Sequence, residues 1–260
     1  ARGQTPPSLL VDQGQLAPEQ GWLPVKPHIK PPYGGYGVSF SGRDTVDNVE
    51  ISEVIGTWGV VSSVHGSDGG YTLRYSDVHH VGGNGVSGNH GNNGDIVLAY
   101  NKLHDNAAGS DQEHNAYIST TGTCYLTGNT SYIARGEGHL MKARCGRVIA
   151  IGNVFNDFGQ DTSIASNQLD IPWGGKSFLM DNIFVKWKNP DTGSSYLIKF
   201  NEEANVGNSA LEDNPSHPEY VTQDLPYYRP NYLAMVRNVF VNYWDGANGN
   251  GSGGATWFQI

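Results

Sequence analysis

The chain has 260 residues, 35 of them glycine, with 37% hydrophobic content and a formal net charge of −9. That is long enough for one large β domain, and no window sustains the Ala, Leu, Glu and Lys of long helices. No apolar run reaches the roughly 18–20 residues of a membrane-spanning helix, and the negative balance gives a nucleic-acid partner no global support. We therefore expect neither a membrane nor a nucleic acid as partner.

The N-terminal stretch carries Pro6-Pro7, Pro18, Pro24, Pro27 and Pro31-Pro32 and reads as extended and irregular until about Gly34. It contains no signal-peptide core. We assign residues 1–43 to an arm or cap, because the open end of a stacked fold exposes strand edges that need cover. Residues 44–260 form the main domain.

From there a repeat runs through the chain: a polar residue, usually Asn, followed by a mostly apolar pair. Its polar positions are Glu53, Asp77, Asn101, Asn129, Asn153, Asn182 and Asn238, spaced 24, 24, 28, 24, 29 and 56. Short strand-like runs such as Ile96-Val97-Leu98-Ala99 precede several of them. A period in the twenties with a β pattern predicts an all-β parallel β-helix of about seven coils. Stacked Asn side chains at a turn can bond to one another and to the backbone. The last gap suggests an insertion, because residues 204–231 are rich in turn formers and make a poor strand.

A second strand per coil follows a Gly-rich or polar turn. Aligning its inward residues puts Ser62, Ser87, Tyr117, Lys142, Asp170 and Lys199 in one outward column, with strands about 4.8 Å apart. The neighbouring column holds Ser119, Arg144, Pro172 and Asn201. The segment Gly138-His139-Leu140-Met141-Lys142-Ala143-Arg144 is central to both, since Lys142 and Arg144 project from one face. His114 and His139 each lie three residues before their column residue. Cys124 and Cys145 do not occupy matching repeat positions. One disulfide stays open, but two buried free thiols are the expectation. His79, His80, His90 and His104 lack a carboxylate or Cys at fixed spacing and read as turn residues. We expect His80 to stack on His104.

In three ordered motifs the chain resembles a family of bacterial right-handed parallel β-helix repeat proteins. They are His114-Asn115-Ala116-Tyr117, the Gly138–Arg144 segment, and Leu169-Asp170-Ile171-Pro172-Trp173-Gly174-Gly175. The likeness spans roughly residues 44–203, with Ala143 in place of the family's Ser. It implies a right-handed parallel β-helix acting on a polysaccharide, in a secreted or periplasmic protein, as a monomer or trimer.

For an acidic polysaccharide the column suits β-elimination, which needs a neutralised uronate carboxylate, a base for the C5 proton and an acid for the leaving oxygen. We assign Lys142 as base, Arg144 as carboxylate binder and Tyr117 as acid, with Asp170, His114 and His139 as further catalytic candidates. Asn115, Trp173, Lys199 and Asn201 are candidates for substrate contact. Trp58 and Trp187 are further aromatic platforms. Two alternatives remain. A glycoside hydrolase would pair Asp170 with Asp157, Asp161, Glu137, Glu202 or Glu203. A non-catalytic carbohydrate-binding or tailspike-like module needs no such pair. No metal ligand set is assigned, although Ca²⁺ beside Asp170 would be an alternative neutraliser.

Overall fold

In a computed structural model the described residues are 26–30, 37–40, 42–53, 58–62, 69–88, 94–107, 113–135, 138–157, 165–186, 196–200, 232–242 and 256–259. They form a parallel β-solenoid, all β and without a helix. Each coil contributes to three faces. The first is an eight-stranded sheet running from His28–Ile29 to Val239–Asn242. The second runs from Val38–Phe40 to Thr256–Gln259. The third runs from Asp44–Asp47 to Tyr232–Val236. Every strand pairing is parallel, so each rung stacks on the same part of the preceding coil.

Eight rungs rather than about seven build the first face, because the stack starts earlier than the sequence suggested. His28–Ile29 already pairs with Glu50–Ser52, and Val38–Phe40 with Trp58–Ser62. The coil that holds the insertion adds no rung of its own: Ile183 pairs directly with Val239 and Lys176 with Tyr232. Residues 201–231, including the predicted loop, lie outside the described residues.

The turn between the third and first faces sets the period. One residue in the left-handed region occupies it in every coil: Asn48, Tyr75, Tyr100, Gly128, Gly152, Asp181 and Arg237, with φ between 51° and 67°. For the non-glycine members this costs on the order of 1–2 kcal/mol each. The next residue offsets it. Asn101, Asn129, Asn153 and Asn182 are completely buried. Each Oδ1 accepts from the preceding rung's backbone N–H at 2.9–3.0 Å, and each Nδ2 donates to a carbonyl such as Leu98 or Leu126.

This ladder corrects the alignment of its first rungs. Ser76, not Asp77, donates its N–H to Asn101, and Glu53 sits at another turn, level with His80. The shift also changes the histidines. His79, rather than His80, stacks flat on His104 at 4.9 Å, and His104 stacks on Tyr132 at 4.6 Å.

The inward residues are apolar and fully buried on all faces, among them Val86, Met141, Leu169, Ile198, Leu98, Leu126, Val148 and Leu179. Phe155, Phe184 and Phe240 stack at 5.1 and 5.2 Å. Cys124 and Cys145 are bonded as a disulfide, not free thiols. The two long strands Ala116–Thr127 and Met141–Ile151 turn the corner between the second and third faces without a break. A register shift between Thr120 and Thr123 brings the two cysteines to a Cα separation of 6.0 Å although they are not strand partners.

Candidate functional site

The second face carries the candidate site. Its central strand opens on Gly138, where no side chain fits: a Cβ would lie 1.7 Å from the Glu113 carbonyl oxygen and 2.5 Å from His114 Nδ1. The alternation of Met141–Cys145 then buries Met141, Ala143 and Cys145 and turns Lys142 and Arg144 outward. The observed register places Ser87, Tyr117, Lys142, Asp170, Lys199 and Gln259 in one column. The column begins differently from the expectation, since Val61 rather than Ser62 partners Ser87. Ser119 pairs with Arg144 in the next column.

Two side-chain contacts on this surface bear on its chemistry. Arg144 Nη1 donates to the Tyr117 phenol oxygen, with the guanidinium carbon 5.1 Å from the ring centroid. Lys142 Nζ lies 3.5 Å from Asp170 Oδ2. Asp170 is completely buried, whereas the Lys142 side chain keeps 13% exposure. Lys142 thus faces a buried carboxylate from the neighbouring rung of its own column. Lys199 follows Asp170 in register, with Nζ 5.7 Å from the Tyr196 ring centroid.

A second column supports the first from three residues upstream: Asn84, His114, His139, Asn167 and Tyr196. Asn84 Oδ1 accepts from the His114 N–H at 2.7 Å, and His114 Nδ1 accepts from the His139 N–H at 2.7 Å. Asn167 Oδ1 accepts from the Tyr196 N–H at 3.1 Å, so its Nδ2 is the group facing His139 Nε2 at 2.8 Å. These contacts fix both tautomers. His114 keeps its proton on Nε2. His139 keeps it on Nδ1, which lies 3.4 Å from Asp170 Oδ2.

The two rings stack at 4.7 Å. Burial pushes His114 down to about 3, helped by the charges of Lys142 and Arg144. Burial holds His139 well below its ordinary value. The approach of His139 to Asp170 is therefore that of a neutral ring. Both histidines position the column; neither is placed as a base on its surface.

The other candidates separate cleanly. Asn115 is fully buried with every polar position used: Nδ2 donates to Ser131 Oγ and the Tyr132 carbonyl, and Oδ1 accepts from the N–H and Nδ2 of Asn106. It braces a corner instead of touching substrate. Trp173 is 3% exposed and offers no free face to a sugar. Asn201, Trp187, Asp161, Glu137, Glu202, Glu203 and His90 lie outside the described residues, as does the Trp58 side chain. Asp157 is buried against Lys186 Nζ and Gln168 Nε2, both at 2.9 Å, so it is committed elsewhere as a hydrolase partner. Ca²⁺ demands an oxygen cage. Asp170 instead faces an ammonium and an N–H, a donor set that does not fit the ion.

Asn167 is the site residue that the sequence reading passed over. The signal was present: it precedes Asp170 by three, as His114 precedes Tyr117 and His139 precedes Lys142. Compared with protein-family models, with curated proteins and with solved structures, the chain gives no match.

Proposed function

We propose that the protein cleaves an acidic, uronate-containing polysaccharide by β-elimination, as its resemblance to the bacterial parallel β-helix repeat proteins implies. The observation that carries this reading is the Arg144 guanidinium on the Tyr117 phenol oxygen, beside Lys142 in register. A hydrogen bond from a guanidinium favours negative charge on the oxygen it meets, which suits Tyr117 to take and return a proton. The Tyr117 oxygen removes the C5 proton. The C–H electron pair forms the C4–C5 double bond, and the C4–O bond breaks with its electrons on the leaving oxygen. That oxygen then takes the proton back from Tyr117.

Lys142 and Lys199 supply positive charge for the uronate carboxylate, which carries the developing charge of the transition state. Asp170 lies against Lys142 and His139, and Asn167 meets His139 in turn. The Cys124–Cys145 disulfide supports a secreted or periplasmic setting, where such bonds persist.

The test is ultraviolet absorbance during digestion of polygalacturonate, alginate and glycosaminoglycans. Elimination creates an absorbing unsaturated uronide. Absorbance should rise in step with new reducing ends, and Tyr117→Phe should slow it on the order of 10²–10⁴-fold. New ends without absorbance would reject elimination.

A further inference from the structure

Among the described residues, most of the exposed cations have an acid on a neighbouring rung. Lys30 meets Glu53, Arg74 meets Asp47, Arg135 meets Asp105 and Arg237 meets Asp181. Such pairing suits a stacked fold, where like charges directly opposite each other destabilise adjacent strands. Arg147 and Lys176 break the pattern together, and Arg43 breaks it elsewhere. The first two are Cα partners on adjacent strands, both exposed, and their inward neighbours Val148 and Ser177 are buried. Among the described residues neither has an ion pair. Their column runs Thr123, Arg147, Lys176, Tyr232, and Tyr232 is 59% exposed.

The cations border a cavity of about 190 Å³ at the corner between the second and third faces, lined also by Thr121, Gly122, Thr123, Gly146 and Gly175. Side chains are absent from its floor because the backbones touch there: a Cβ on Gly146 would lie 2.2 Å from the Thr121 carbonyl oxygen, and one on Gly175 2.5 Å from that of Gly146. Along the strand, Arg147 follows Arg144 by three residues, about 10 Å. Lys142, Arg144, Arg147 and Lys176 thus form a basic band that crosses the corner of a protein whose formal net charge is −9.

We propose that this corner cavity is a second binding site for carboxylates of an acidic polysaccharide, separate from the Tyr117 surface. Arg147 and Lys176 bind uronate carboxylates, and Tyr232 presents a ring face to a sugar. The notch between the cations admits a sugar unit where any side chain would block it, and rungs about 4.8 Å apart set two charges in line along a polymer. The proposal rests on the acidic-polysaccharide reading and adds to it a place that holds the chain away from the reacting bond.

The experiment is calorimetric titration of Tyr117→Phe protein, which leaves the polymer intact, with polygalacturonate and with alginate. Arg147→Gln/Lys176→Gln is compared with Arg135→Gln/Arg237→Gln, which changes the net charge equally at two other turns. The expected result is binding weakened roughly ten-fold or more in the first pair and left nearly unchanged in the second. Tyr232→Ala should weaken binding as well and does not alter charge. Equal affinities for the two double variants, in protein that binds, would overturn this second site and leave the elimination reading standing. Failure of the Tyr117→Phe protein to bind either polymer would overturn both.

Discussion

His114 and His139 show how far placement changes a residue's chemistry. Each is an ordinary imidazole in the unfolded chain and takes a proton near its ordinary value of 6.5; in the fold burial holds both neutral, His114 down to about 3. Between those limits the unfolded chain binds more protons than the native one, so stability is greatest above about pH 6.5 and falls as pH drops. The slope approaches about 1.4 kcal/mol per pH unit for each ring. His104 works in the opposite sense. Burial lowers it, but the bonds its ring makes to Asp77 and Asp105 outweigh that and raise it, so its contribution is present below 6.5 and fades as pH rises. Urea unfolding between pH 7 and pH 4.5 should show the midpoint falling with pH, and His114→Asn should flatten the fall. An unchanged slope in that variant would mean His114 is not held neutral. The spacing of three that singles out the two histidines was visible in the sequence. Their neutrality was not, since it depends on neighbours drawn from three different coils.

The turn element between the third and first faces sustains the stack. Asn153 accepts from the N–H and Nδ2 of Asn129 and donates to Leu126 and Asn182, all out of water. Asn153→Ala strands a buried N–H and a buried carbonyl, at about 1–3 kcal/mol each, and should cost about 3 kcal/mol or more by chemical denaturation. Asn238→Ala, on the last and partly exposed rung, should cost clearly less. Equal costs would show that the ladder does not act through burial. The fold was readable because this element is local: an Asn and the strand after it recur in one coil after another. Its first rungs were misread because Glu53 and Asp77 imitate the pattern, while the true marker is the left-handed residue before it, which Tyr75 or Tyr100 gives no reason to suspect. The disulfide was hidden for a related reason. Cys124 and Cys145 meet through a register shift at Thr120–Thr123, and a shift at a corner leaves no periodic trace.

Across the whole molecule, charge is distributed against its sum. An acidic chain carries a basic band from Lys142 over the glycine corner to Lys176, and the phenol of Tyr117 stands beside its start. The column of Tyr117, Lys142, Asp170 and Lys199 was legible because a parallel stack puts equivalent strand positions side by side. What was not legible is depth. Asp170 follows the alternation of exposed residues, yet the folded chain covers it completely. The mass of the digestion products tests this account most directly. Elimination leaves the fragment on the new non-reducing side lighter by one water than hydrolysis would. Mass spectrometry of a polygalacturonate or alginate digest should show that unsaturated fragment from wild-type protein and very little from Tyr117→Phe. Fully hydrated fragments, or equal yields from the variant, would contradict it.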